Sequence, residues 1–367
     1  MAPAPPSLDS FTELLARLPG QLDLDALAIS TKAIERSRKI CDGTSLLRLA
    51  LARGPGGLSL NQTAAWASMG GLAQLSDPAV KYRLDKAADF LKAVMEQQLA
   101  ARAGSIALRW PGRSLRIVDG TNISQRASLG TDWRVHAGFD LGTGGFFHLE
   151  LTDNRGAESL ARGVPEVGEV RIADRNYANA GALHQLCQQA ERVDFIVRAR
   201  WKSFALRTPD GIQFDLIAHL TALGKETTAH EVLVQAVVGK KTHLPLRLII
   251  QRRTDDEIEK TRHHLRKMAS RKQKKLDPRT LVAAKFLILA TSLPQETYPA
   301  AEVLTVYGLR WQIELAFKRL KSLLHIDQLP TRTTEASRSW LYSHLILALL
   351  CDDFAQDFLE SSPSGTR

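Results

Sequence analysis

The hydrophobic period changes at Trp110-Pro111-Gly112, and that change limits the fold more than any other feature of the chain. Before it, apolar residues recur at helix spacing: Phe11, Leu14, Leu15 and Leu18 up to a Pro19-Gly20 stop, a series through Ile34 to Ile40, then Ser45 to Arg53 and Leu60 to Ser68 between glycine breaks. Asp77 to Met95 reads as one further helix with Asp77 as its cap and Pro78 in its first turn. After the break the period is 2 or the apolar run is unbroken, so a helical region precedes an α/β one.

The α/β region has a readable order. Leu115 to Asp119 (LRIVD) is a buried strand ending at Asp119-Gly120-Thr121, and Trp133 to Leu141 and Phe146 to Thr152 alternate apolar and polar residues about a GTGG hairpin turn. A short helix around Ala157 to Arg162, a strand Glu169 to Ala173 ending at Asp174-Arg175-Asn176-Tyr177, a helix from Ala180 to Arg192 and a strand Asp194 to Arg200 follow. Strand, hairpin, helix, strand, helix, strand is the order of a ribonuclease H-like fold. Residues 201–280 carry short apolar runs (Phe214 to Ile217, Val232 to Val238, Leu246 to Ile250) and then the basic run Arg262 to Lys275, a mostly β insertion ending in a cationic helix. Phe286 to Ala290 returns to the core as a strand.

Four regions result: a helical N-terminal DNA-binding domain at 1–110, a ribonuclease H-like catalytic core at 111–200 and 281–330, the inserted β subdomain at 201–280, and a C-terminal helix and tail at 331–367. Residues 1–10 and the tail from Ser361 read as loose.

Charge narrows the partner. With 49 Lys and Arg against 39 Asp and Glu the formal net charge is +10, which favours a polyanion. Charge alone does not separate DNA from RNA or from a membrane surface. Three well-separated cysteines argue against a disulfide framework and for a reducing compartment, and without a membrane-length apolar run a soluble cytoplasmic protein is expected. On the helix of Asp77 to Met95, Lys81 and Arg83 stand near the start, where a recognition helix meets a groove; Arg266, Lys267, Arg271 and Lys272 of the basic run suit contact with the DNA backbone.

Asp119 and Asp174 each follow a buried strand at its C-terminal end, the edge where open α/β sheets bind ligands. Alone, either suits a turn or a helix cap. The stretch Tyr307 to Lys321 (YGLRWQIELAFKRLK) reads as one helix with Val306, Leu309, Ile313, Ala316, Phe317, Leu320 and Leu324 in a core stripe; Tyr307, Arg310, Glu314 and Lys321 share a neighbouring arc of about 60° with Trp311 at its edge. Taken alone that arc is a solvated salt-bridge face. Joined by two strand-end aspartates, Glu314 completes an all-oxygen carboxylate cluster that suits Mg²⁺, or Mn²⁺, at a phosphodiester. His136, His148, His263 and His264 have no usual metal-ligand spacing, and Gly142 to Gly145 lacks the Lys-Ser/Thr of a phosphate-cradling loop.

Tyr307, two residues, Arg310, three residues, Glu314, six residues, Lys321 resembles the tyrosine-arginine-glutamate-lysine signature of the insertion-sequence-four family of bacterial DDE transposases; VDGT at Asp119 and ADRNY at Asp174 resemble its aspartate motifs. The resemblance implies a Mg²⁺-dependent triad of Asp119, Asp174 and Glu314 and cut-and-paste movement of an element with terminal inverted repeats. It also implies DNA-end contacts by Tyr307, Arg310, Trp311 and Lys321, a homodimer on the DNA, and a place at the bacterial nucleoid. Two other readings stay open at this point: a Mg²⁺-dependent endonuclease without strand transfer, and a transposase-derived DNA-binding protein with an idle metal site.

Overall fold

In the computed structural model, residues 12–361 are described apart from 14, 21, 37–38, 102–109, 126–127, 129, 192, 226–227, 241, 325, 327–328 and 332. The expectations for residues 1–10 and for the tail beyond Ser361 lie outside the described residues. Five helices lead: α1 (Leu24–Ser30), α2 (Gly43–Arg53), α3 (Leu60–Met69), α4 (Asp77–Lys86) and α5 (Ala88–Ala100). Strands β1 (Ser114–Ile123), β2 (Trp133–Asp140), β3 (Gly145–Asp153) and β4 (Glu169–Ala173) follow, then α6 (Ala180–Gln189), β5 (Asp194–Arg198), β6 (Leu206–Arg207) and α7 (Leu216–Ala222). The chain continues through β7 (His230–Val237), β8 (His243–Arg252), α8 (Asp255–Arg271), α9 (Pro278–Ala283), β9 (Phe286–Thr291), α10 (Ala300–Gly308), α11 (Trp311–Leu324) and α12 (Thr334–Ser361). The sheet has the order β3-β2-β1-β4-β5-β9-β8-β7-β6, an α/β arrangement in which β1, β4 and β5 are parallel while β2 with β3, β5 with β9, β9 with β8, β8 with β7 and β7 with β6 are antiparallel. None of the described helices is long and apolar enough to cross a membrane.

Two compact units divide the chain: residues 1–105, 120–156 and 314–367 form one, and 106–119 with 157–313 the other. In the first, α12 packs on α5, α2 and α4 and also meets β3. Its Leu341, Leu345, Ile346 and Leu349 are fully buried, as are Leu46, Leu47, Phe90 and Leu91 of the N-terminal helices. Polar ties set the register of that contact: Ser339 donates its hydroxyl to the Leu84 carbonyl, and Arg338 reaches Asp89 at 2.6 Å.

In the second unit one apolar cluster joins Val118, Ala173 and Val197 on the parallel strands to Leu183 and Leu186 of α6 and to Leu246, Leu248, Ile250 and Ile288. The strands of residues 201–280 thus extend the same sheet through β9. Beside that core, Glu169 is fully buried between Arg171, at 2.8 Å, and Arg116, at 3.4 Å.

Several local expectations change. Strand β1 does not stop at Asp119 but runs to Ile123. The helix of 77–95 breaks at Ala87 into α4 and α5, with Ser76 at the cap position and Asp77 already inside the first turn. The described residues of 34–40, namely 34–36 and 39–40, are irregular or in bends and not in a helix. Around Ala157 to Arg162 the chain is irregular because the Leu160 and Arg162 carbonyls accept from the buried Arg171 guanidinium, which removes them from any helical ladder. The run Phe214 to Ile217 enters α7, whose first turn is capped by the Asp215 carboxylate accepting from the Ile217 and Ala218 amides.

Replacing Glu169 by alanine removes the carboxylate that two buried guanidiniums share, leaving Arg116 with Glu166 and Arg171 with the Leu160 and Arg162 carbonyls. Urea denaturation of Glu169→Ala should show a loss of about 1.5–3 kcal/mol, and a loss below about 0.5 kcal/mol would mean that Glu166 and the two carbonyls suffice for Arg116 and Arg171.

Candidate active site

The site is positioned by parallel pairing. Ile117 pairs with Ile172 across β1 and β4, and Ala173 pairs with Val197 across β4 and β5. Two residues past the first pair are Asp119 and Asp174, and one past the second are Asp174 and Arg198. The register therefore sets Asp119, Asp174 and Arg198 level on three adjacent strands, neighbours lying about 4.8 Å apart. Val118, Ala173 and Val197 belong to the apolar core, and because side chains alternate along a strand the next row faces the opposite side, above fully buried Ile117, Ile172 and Ile196.

Asp174 is also a turn residue. Its Oδ1 accepts the Asn176 amide at 2.7 Å, its carbonyl accepts from the Tyr177 amide at 3.2 Å, and Arg200 anchors the same turn by donating to Asn176 Oδ1 at 2.7 Å. The turn reading of this aspartate therefore holds: one oxygen sets the turn, and the carboxylate stands at a half-buried position just past the end of β4.

The signature stretch is two helices, not one. Helix α10 ends at Gly308 and α11 begins at Trp311; between them Leu309, Arg310 and Gln312 donate to carbonyls three residues back, Val306, Tyr307 and Leu309. That tightening, next to a glycine that favours helix weakly, resets the helical phase, so one arc does not span 307–321. Tyr307 is 9% exposed, and burial raises its hydroxyl pKa above the usual tyrosine value although Arg310 and Arg198 lower it. Its hydroxyl is hydrogen-bonded to Arg310, and Asp174 is within electrostatic reach. In the expected pair of stacking aromatics Trp311, 49% exposed, is presented to solvent and Tyr307 is not. Glu314 is exposed in the first turn of α11, where the helix dipole favours a carboxylate, and belongs to the other compact unit. Ile313, Ala316 and Phe317 are buried as the stripe requires; the Leu320, Leu324 and Lys321 side chains lie outside the described residues.

Among the described residues no group of three or more His, Cys, Asp or Glu is gathered as a metal site. The level pair of aspartates is nonetheless the donor set that a hard cation takes, since Mg²⁺ is commonly held by one or two carboxylates with substrate phosphate and water filling the remaining positions.

The other basic residues are dispersed. Lys81 is exposed on α4 and paired with Asp85, with Arg83 half-buried beside it. Arg266, Lys267 and Arg271 are exposed in the C-terminal half of α8 and Lys272 caps it, while Asp255, Asp256 and Glu257 fill its first turn, a distribution that also suits the helix dipole. His263 and His264 are exposed on the same helix, and His136 is buried with Nε2 3.0 Å from Thr152 Oγ1. In the hairpin, Asp140 Oδ1 accepts from the Gly142 and Thr143 amides, which accounts for the glycine-rich loop as a turn. Four arginines not among the expected site residues gather here: Arg198 stands near Asp174, Arg175 and Arg253 stand near Arg198, and Arg200 is held on Asn176. Only Arg198 and Arg200 carried a sequence signal, as the pair of charges closing the buried run DFIVRAR.

Asparagine keeps an acceptor for the Asn176 amide. Asp174→Asn should therefore unfold within about 0.5 kcal/mol of the parent chain in urea, whereas Asp174→Ala should lose about 1 kcal/mol; equal losses would show that the turn bond does not matter.

The transposase DDE domain family matches residues 110–350. The chain is 39% identical over 363 residues to the putative transposase InsL for insertion sequence element IS186A of Escherichia coli K12, with 97% of each covered. It is likewise 39% identical to the transposase for insertion sequence element IS421 of Escherichia coli, again with 97% of each covered. The transposase for insertion sequence element IS231F of Bacillus thuringiensis subsp. israelensis is 28% identical over 59% of this chain and 49% of its own. Among solved structures, a cryo-EM piggyBac transposase synaptic complex with hairpin DNA aligns over 98% of this chain and 73% of that one at 9% identity and a TM-score of 0.44. By the domain match and by identity along nearly its whole length, the chain belongs to the family of transposases that carry a DDE domain.

Proposed function

We propose that this transposase frees a 3′-hydroxyl at the end of an insertion sequence and joins it to target DNA through a ribonuclease H-like core, with Asp119, Asp174 and Glu314 as its acidic triad. The observation that carries the reading is the register that brings Asp119 level with Asp174 on adjacent parallel strands. The order β3-β2-β1-β4-β5, with β1, β4 and β5 parallel, supports the ribonuclease H-like assignment, and the spacing of Tyr307, Arg310, Glu314 and Lys321 supports membership of the insertion-sequence-four family.

Asp119 and Asp174 would hold Mg²⁺, or Mn²⁺, with Glu314 as the third carboxylate. Such ions, when bound, activate the attacking oxygen and neutralise the leaving one. The protein's own part is positional. Asp174 is fixed by its turn, so its carboxylate keeps one orientation. Arg310, held against the Tyr307 hydroxyl, supplies a cation near Asp174 to which a phosphate can bind despite the acidic residues. Trp311 offers an exposed ring for stacking on an unpaired base, and Lys321 adds a second phosphate contact. Lys81 and Arg83 read the terminal inverted repeat, the basic face of Arg266, Lys267, Arg271 and Lys272 follows the DNA backbone, and two protomers pair across two DNA ends.

The test uses DNA flanking the chain's own gene, pre-cleaved ends and Mg²⁺. Strand-transfer products are expected from the parent chain, and Asp119→Ala, Asp174→Ala and Glu314→Ala should each lower the rate of both cleavage and joining by at least about 10³-fold. Hydrolysis without joined products would instead identify an endonuclease. Unchanged transposition in all three variants would remove the triad altogether.

A further inference from the structure

We propose that Arg198, with Arg253 and Arg175, binds one backbone phosphate of the DNA strand that passes Asp174. The inference rests on the reading of Asp174 as part of the catalytic edge and adds a substrate-positioning residue outside the four-residue signature.

Three observations carry it. First, Arg198 ends β5 and the register sets it level with Asp174, one strand away, on the face opposite the apolar core. Second, its guanidinium, half-buried, makes no hydrogen bond or ion pair with any described residue. By contrast Arg113, Arg116, Arg171 and Arg247 of this unit, all buried, each have a carboxylate: Arg113 has Asp194, Arg116 has Glu166 and Glu169, Arg171 has Glu169, and Arg247 has Glu231. Third, its charged neighbours are mostly of its own sign. Arg253, immobilised by donating from Nε to the Phe286 carbonyl at 3.3 Å, and Arg175 both stand near enough to disfavour its charge, against the single carboxylate of Asp174. Burial and those two cations hold the Arg198 pKa below the ordinary arginine value.

Half-buried guanidiniums are retained in a fold where something balances them. Asp174 is already committed through Oδ1 to its turn and through its position to the acidic edge. An anion that approaches the sheet edge satisfies the remaining charge, and a phosphodiester presents the paired oxygens that a planar guanidinium grips best. Arg200 does not join this group, because its Nη2 is used on Asn176.

The measurement is fluorescence anisotropy of a labelled duplex carrying the DNA that flanks the chain's own gene, in EDTA so that no metal site contributes, across a range of salt. Arg198→Ala should weaken binding about tenfold and flatten the slope of log affinity against log salt by about one. Arg198→Lys should restore most of the affinity, and Arg253→Ala should flatten the slope as well. Scanning single methylphosphonate substitutions along the end should find one that weakens the parent chain but leaves Arg198→Ala unaffected. Parent affinity and slope in both alanine variants, with thermal midpoints unchanged, would overturn the proposal. So would a scan in which every methylphosphonate weakens Arg198→Ala as much as the parent. Should Arg198→Ala fail to fold, Arg198→Lys and Arg253→Ala with the same scan decide the matter. Loss of cleavage in Asp119→Ala is scored separately with Mg²⁺, so failure of the triad and failure of the phosphate contact give different results.

Discussion

The pairing of β1 with β4 and of β4 with β5 is the constraint on which the rest depends. Parallel strands bond only in fixed steps, and each step here is locked by apolar partners on both faces: Val118, Ala173 and Val197 on one, Ile117, Ile172 and Ile196 on the other. Slipping any strand by one residue would move its isoleucine to the wrong face and leave a cavity. Fixing the apolar rows therefore fixes the polar row beyond them, and the sheet edge acquires two carboxylates and a guanidinium at one level without any direct contact among them having to be favourable.

Electrostatics explains why that row needs so much surrounding structure. Two like charges on strands about 4.8 Å apart repel, and the chain tempers this with nearby arginines whose own charges are unequally satisfied. Asp174 sits among Arg175, Arg198, Tyr307 and the Arg200–Asn176 anchor, a surrounding more cationic than one carboxylate requires. The excess of positive charge suits a family whose substrate is a polyanion. Elsewhere in the same unit, arginine and glutamate are balanced within the interior, as at Glu169 with Arg116 and Arg171.

Much of this was legible from residues alone because strands buried on both faces leave unbroken apolar runs, and LRIVD, EVRIA and DFIVR are such runs. The hairpin was legible from strict alternation about a glycine-rich turn. Helix continuity was less so. Asp77 to Met95 and Tyr307 to Lys321 each satisfy a helical period on paper, yet each is broken, at Ala87 and at Leu309-Arg310, where backbone amides turn to carbonyls three residues back. Periodicity counts side chains and cannot register such a change of backbone bonding. Ala157 to Arg162 failed for a related reason, since a distant guanidinium claims its carbonyls.

The sequence by itself determined the identity of the acidic residues, the basic balance of the chain and the signature spacing, because those depend only on which residues are present and how far apart they lie. Tertiary structure alone decided that Asp119 and Asp174 share a level, because register is a property of two strands and not of one. It alone put the Tyr307 ring inside and Trp311 outside, because burial depends on what packs against a helix after its phase has been reset. And it alone brought Arg253, Arg175 and Asp174, the first two 78 residues apart in the chain, to the neighbourhood of Arg198. No local pattern joins the three arginines, since each ends or follows a different strand of the same sheet.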